Sequence, residues 1–180
     1  MKRFLAAATV TILLCAQPAA AQSILRDAET ESLFRDMSAP IITAAGLSPR
    51  SVDIVLVNDD SINAFVIGGQ TVYLNAGLLQ AAENANEVQG VIAHELGHIA
   101  DGHVVLSDAG IRPAMGITIL SLVLGIAAMA AGSAEAGAGI MAAGQQAGLG
   151  SYLAFSRTVE SSADAAAVRY LTSAGITGKG

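Results

Sequence analysis

Apolar and polar positions follow three rhythms along this chain, and each predicts a different kind of element. Between Ser23 and Ala45, Leu33, Phe34, Met37 and Ile41 recur at helical spacing, which predicts a helix with a break at Pro40 and a stop at Gly46. Val52 to Val57 is almost wholly apolar and rich in β-branched residues, and Asn58-Asp59-Asp60 closes it, the pattern of a buried strand followed by a turn. Ala64 to Ile67 and Thr71 to Leu74 flank Gly68-Gly69 and read as a β-hairpin, giving a small three-stranded sheet. From about Asn86 the helical period returns in Val88, Val91, Ile92, Leu96 and Ile99, with Asn84 or Asn86 available as the N-cap.

Beyond Pro113 the charges stop. Ala114 to Ala131 carries none, Gly132 to Gly139 reads as a Gly/Ala-rich break, and Ile140 to Phe155 is again weakly polar, so residues 114–155 read as a hydrophobic hairpin. The uncharged segment is at the lower limit of what can cross a bilayer, and buried, interfacial and spanning placements all fit it. A last helix is expected from about Thr158 to Ser173. The fold class expected is α+β, mainly helical with a small sheet.

Composition narrows the compartment and the partners. The 180 residues are 53% apolar and 4% aromatic, enough for one domain with a sizeable core. Lys2 and Arg3, then the apolar Phe4 to Cys15 and Ala19-Ala20-Ala21, have the order of a secretory signal, so residues 1–21 are expected to be removed and residues 22–180 to form the exported domain. Cys15 is the only cysteine, so the exported part has neither disulfide nor thiolate, and a metal would be held by nitrogen and oxygen. The formal charge of −6, with no basic cluster, excludes nucleic acid as a natural partner.

The chemistry sits in His94-Glu95-Leu96-Gly97-His98, an H-E-x-x-H motif inside a predicted helix. Four residues make about one turn, so both imidazoles leave the same face and can hold one zinc ion, with Glu95 beside them as a general base for a water whose pKa the metal lowers to about 7. A third protein ligand is still needed. His103 lies nine positions after His94 and Gly102 is misplaced for the longer three-histidine motif, so that reading fails. Asp101, on nearly the same turn as His98, could support it, although a solvated helix end is the better reading. Glu160 and Asp164 share a helix face, at a spacing that lets one coordinate and the other accept a hydrogen bond from a ligand histidine; spacing alone fits a wet acidic face at least as well.

In these positions the sequence resembles the zinc peptidases of the HtpX and CAAX prenyl protease type, family forty-eight of the metallopeptidases, and among them their exported periplasmic branch. The resemblance runs from about Arg26 to Tyr170. Its landmarks are Asn63-Ala64-Phe65 followed by Gly68-Gly69, then Gly77-Leu78-Leu79, His94 to His98, and Ser156-Arg157 leading to Glu160 and Asp164. It implies a gluzincin-like domain in which His94, His98 and Glu160 bind one Zn2+, Asp164 supports a ligand histidine, and Glu95 is catalytic. It also implies that the strand at Asn63, Ala64 and Phe65 is a sheet edge facing the active-site helix, where a substrate lies extended. Hydrophobicity alone would place Phe65 in the core.

Two positions depart from the family pattern: Ser162 stands where a further Glu is usual, and Ile67 where a Pro is usual. Family residues downstream, including a repeat domain in the periplasmic branch, would lie beyond Gly180, and the chain reads as cut short there. The activity expected is zinc-dependent hydrolysis of peptide bonds in envelope protein quality control, on misfolded or stalled protein substrates, in the periplasm, with membrane-surface association through the hairpin. Two competing readings are a chaperone-like binding module with a silent or regulatory zinc site, and an integral membrane peptidase. Glu95 argues against the first, because a structural zinc site has no use for a carboxylate there.

Overall fold

A computed structural model describes residues 23–178, apart from the side chains at 104–108; the expected signal at 1–21 lies outside the described residues. The elements in chain order are β1 (Ser23–Leu25), α1 (Ala28–Ala44), β2 (Asp53–Asn58), β3 (Ala64–Val66), β4 (Thr71–Asn75), α2 (Ala76–Ala81), α3 (Ala85–Ala100), α4 (His103–Ala130) and α5 (Ala134–Ser173). The α+β class holds. The sheet, however, has four strands in the order β1-β2-β4-β3, with β2 and β4 parallel and both outer pairs antiparallel.

The extra strand comes from the segment expected to open the first helix. Ser23 to Leu25 pairs with β2, Ile24 opposite Val57, and the helix starts only after Asp27, whose carboxylate accepts from the Thr30 amide at 2.9 Å. An Asp at that position satisfies an otherwise unpaired first-turn amide, which sets the helix start there. Pro40 does not break α1. The carbonyl that it leaves without a helical partner belongs to Asp36, on the exposed face, where water can serve it. Leu33 is 60% exposed, and the stripe that packs inward is Phe34, Ser38, Ile41 and Ile42. β2 begins one residue later than expected and is half-buried along most of its length.

The predicted hairpin of β3 and β4 forms, with Ala64, Phe65 and Val66 opposite Leu74, Tyr73 and Val72. Gly68 and Gly69 carry its turn at φ 59° and 127°, where a side chain would be strained. The core lies between sheet and helices: Phe34, Ile41 and Ile42 from α1, Val72 and Leu74 from β4, Val88, Ile92, Ala93 and Leu96 from α3, and Ala167 and Leu171 from α5.

The hydrophobic hairpin also forms, but with longer arms. Only Ala131 to Ser133 interrupts the helices, and the segments expected at 140–155 and 158–173 are parts of one 40-residue helix, α5. Of the expected break at Gly132 to Gly139 only Gly132 lies in the turn, and Gly137, like Gly144 and Gly148 further along α5, serves close packing instead. A Cβ on Gly137 would strike Met129, one on Gly144 would overlap Ser121, and one on Gly148 would meet Thr118 Oγ1 at 2.5 Å. Ala109–Ala130 is long and apolar enough to cross a membrane, and most of it is exposed; among the described residues no other helix is so long and apolar.

One close crossing sets the position of α5 on α3. A Cβ on Gly97 would stand 3.0 Å from Ala163 Cα and 3.2 Å from Ala166 Cβ, while Ala163 and Ala166 are wholly buried. Gly97→Val should therefore push the helices apart and lower stability by about 1–3 kcal/mol. Gly90→Ala, in the same helix with nothing within 4 Å of the added methyl, should instead raise it by up to about 1 kcal/mol. Urea unfolding of both variants checks the contrast, and equal midpoints would contradict it.

Candidate metal centre

α3 is started by a reciprocal cap. Asn84 accepts from the amides of Asn86 and Glu87 at 2.9 and 3.2 Å, and the Glu87 carboxylate returns to the Glu83 amide at 2.9 Å. With the start fixed, His94 and His98 fall one turn apart on the face turned toward α5, their rings in edge contact at 4.8 Å.

α5 brings the acidic pair to the same place. Glu160 Oε2 lies 3.3 Å from His94 Nε2 and 3.8 Å from His98 Nε2, and the two Nε2 atoms are 3.1 Å apart. A tetrahedral zinc ion with bonds near 2.1 Å separates its ligand atoms by roughly 3.4 Å. The triangle of two imidazole nitrogens and one carboxylate oxygen thus fits zinc in both size and chemistry, and all three donors lie within 4.8 Å of one another. Asp164 Oδ1 stands 2.9 Å from His94 Nδ1, on the far side of the ring. A proton held there leaves the His94 Nε2 lone pair facing Glu160.

Glu95 points to the cleft without belonging to the triangle. It is 8% exposed, and burial raises its carboxyl above the usual glutamate range, an effect that neighbouring His94 opposes and Glu160 adds to. Burial also lowers His98, and the nearby His94 lowers it further against the pull of Glu160, so its imidazole favours the neutral form in which a histidine coordinates.

The opposite wall is the sheet edge. Ala64, Phe65 and Val66 of β3 line one cleft with His94, Glu95, His98, His103, Val159 and Glu160. β3 has β4 on one side only, so its outer backbone edge is unpaired among the described residues. Phe65 is half-buried, stacked on Tyr73 at 5.2 Å, and lies outside the core. Asn63 stands just before the strand, exposed and outside the cleft lining, its carbonyl accepting from the Asn75 amide at 3.0 Å. The Gly77 landmark acts on the same loop: its amide donates to the Asp59 carbonyl at 2.9 Å, and a Cβ there would overlap the Asp60 backbone. Asn75 Nδ2 completes the brace by donating to Ser61 Oγ at 2.8 Å.

One contact was not legible in the motif. His103 does not join the triangle; its Nδ1 lies 3.1 Å from His98 Nδ1. A separation of five residues is poor helical spacing. The signal lay in Gly102, which ends α3 in the left-handed region at φ 69°, ψ 22° and turns the chain back. Asp101 caps α3 and accepts from Ser162 Oγ at 2.7 Å.

Comparison with known proteins agrees with this geometry. The profile described as Peptidase family M48 matches residues 25–180. The chain is 32% identical over 124 residues to the beta-barrel assembly-enhancing protease of Yersinia pestis, covering 67% of this chain and 24% of that protein. It is 25% identical over 154 residues to the putative beta-barrel assembly-enhancing protease of Vibrio cholerae, covering 86% and 32%. A protease HtpX homolog of Streptococcus agalactiae is 36% identical over 72 residues, 38% of this chain and 24% of that one. The chain therefore spans about a quarter to a third of the length of these relatives. With strands β2 to β4, the H-E-x-x-H helix and the Glu160 helix all inside the matched range, the chain belongs to Peptidase family M48.

Proposed function

We propose that this chain is the catalytic domain of a zinc-dependent endopeptidase, with residues 22–180 as one peptidase domain following a removable leader at 1–21. One observation carries the reading: His94, His98 and Glu160 converge beside the buried Glu95, across a cleft from an unpaired sheet edge. Zinc at such a site supplies Lewis acidity, making water acidic near neutral pH and polarising a carbonyl. His94, His98 and Glu160 hold the ion. Asp164 accepts the His94 Nδ1 proton and so fixes the tautomer that coordinates. Glu95 takes the proton of the attacking water and returns it to the leaving amine, and the burial that raises its proton affinity suits that second transfer. The edge strand Ala64–Val66, entered through Asn63, pairs with an extended substrate backbone and presents its scissile carbonyl to the site.

The substrates proposed are misfolded or stalled envelope proteins. Support comes from the signal-like pattern at 1–21 and from the relatives in Yersinia and Vibrio, named for beta-barrel assembly. An extended backbone is available only in unfolded segments, which agrees with recognition by strand addition.

The chain is expected to bind about one zinc ion, and Glu95→Gln to keep it while losing casein hydrolysis by at least about 100-fold, because a base but no ligand is removed. Metal analysis beside a casein assay reads both; undiminished hydrolysis by the variant would overturn the mechanism. Glu160→Ala should weaken zinc binding strongly, and Asp164→Ala less, by about 10- to 100-fold. Titration against a competing chelator gives the order, and parent-like affinity in Glu160→Ala would remove it from the ligand set.

The hairpin of α4 and α5 is proposed to hold the domain on a membrane surface without crossing it. α4 presents Leu120, Val123 and Ile126 to the outside, but α5 interrupts its apolar face with Glu135, Gln145 and Gln146. Alkaline carbonate should therefore release the protein from membranes, whereas retention in the pellet would point to a spanning hairpin.

A further inference from the structure

The two histidines of the triangle are held differently on their far sides. His94 Nδ1 faces a carboxylate, Asp164, but His98 Nδ1 faces another imidazole, His103 Nδ1, at 3.1 Å. Two facing ring nitrogens form a hydrogen bond only if one carries a proton and the other does not. For His98 to present the Nε2 lone pair to a metal, its proton must sit on Nδ1, and His103 must then accept on Nδ1 and carry its own proton on Nε2. The surroundings of His103 favour that tautomer. Its Nε2 lies 3.8 Å from Asp101 Oδ2, beyond hydrogen-bond range but close enough for the carboxylate to favour a proton on that nitrogen, and the same Oδ2 is held by Ser162 Oγ at 2.7 Å.

The opposite arrangement is available and would block the site. With its proton on Nε2, His98 would donate to His94 Nε2 at 3.1 Å or reach toward Glu160 Oε2 at 3.8 Å, filling the triangle with a hydrogen. We propose that His103, oriented by Asp101 and Ser162, is a positioning residue that holds His98 in its metal-binding tautomer. The role rests on the metal-centre reading above. Gly102 makes it possible, since its left-handed conformation brings the first residue of α4 back against the last turn of α3. Ser162, which departs from the family pattern, thus has a structural task here: it fastens Asp101 to the same helix that carries Glu160 and Asp164.

Zinc affinity, measured by chelator competition on the full chain with circular dichroism as a folding control, tests the role apart from activity. His103→Leu removes the acceptor and should weaken binding about 10- to 100-fold, whereas His103→Asn, whose amide oxygen stands at the place of Nδ1, should bind within a few-fold of the parent. His94→Ala is the reference for the metal site itself. If His103→Leu binds zinc like the parent while His94→Ala does not, the positioning role is overturned and the metal centre stands. If the parent itself binds no zinc, the metal centre is overturned and the role falls with it. Should His103→Leu not fold, 15N NMR of the zinc-loaded parent decides: a coupling across the hydrogen bond between the two Nδ1 atoms is expected, and its absence with both signals resolved overturns the proposal.

Discussion

The close passage of α3 over α5 at Gly97 is the constraint on which the site depends. Glu160 and Asp164 bracket Ala163 on α5, and His94 and His98 bracket Gly97 on α3. With backbone against backbone at the centre, side chains one short step to either side meet directly: Glu160 reaches both Nε2 atoms and Asp164 reaches His94 Nδ1. Side chains that are 55% and 74% exposed are thereby held to a common geometry by the packing beneath them. A larger residue at either crossing position would separate the helices by more than the tolerance of a metal site.

What the sequence disclosed follows from how local each signal is. The H-E-x-x-H spacing, the Asn84 cap and the paired glycines at 68 and 69 act within a few residues, and the helix, its start and the hairpin were found where those signals put them. The Asp27 cap is equally local, but the apolar period runs past it and hides the first strand, whose pairing partner lies more than thirty residues away in β2. The expected break at Gly132 to Gly139 runs too far, past Gly137, for a different reason. A helical glycine is unfavourable by about 1 kcal/mol unless a neighbour needs the space, and the neighbour is a helix that the sequence cannot place.

For the site itself, the spacing of Glu160 and Asp164 favours a solvated face over coordination, and it is the crossing that brings both carboxylates to the histidines. Both carboxylates are largely exposed, so neither burial nor charge would have singled them out. His103 illustrates the complementary case: its distance from His94 does not fit the longer three-histidine motif, while its neighbour in the fold is His98, reached through a glycine turn that no periodicity describes.

The continuity of α5 links two features that the sequence presents as separate. The helix runs unbroken from Ala134, at the tip of the apolar hairpin, to Ser173, so Glu160 and Asp164 share one rod with the arm that packs against α4. At about 1.5 Å per residue, the proposed ligand lies roughly 40 Å along that rod from the tip. The site end is fixed by α3, since Ala163 and Ala166 are fully buried there, whereas the α4 arm is almost wholly exposed. Most of the apolar surface that still lacks cover is therefore joined rigidly to the proposed metal centre but held away from it, and a surface that covers the hairpin need not obstruct the cleft between β3 and α3.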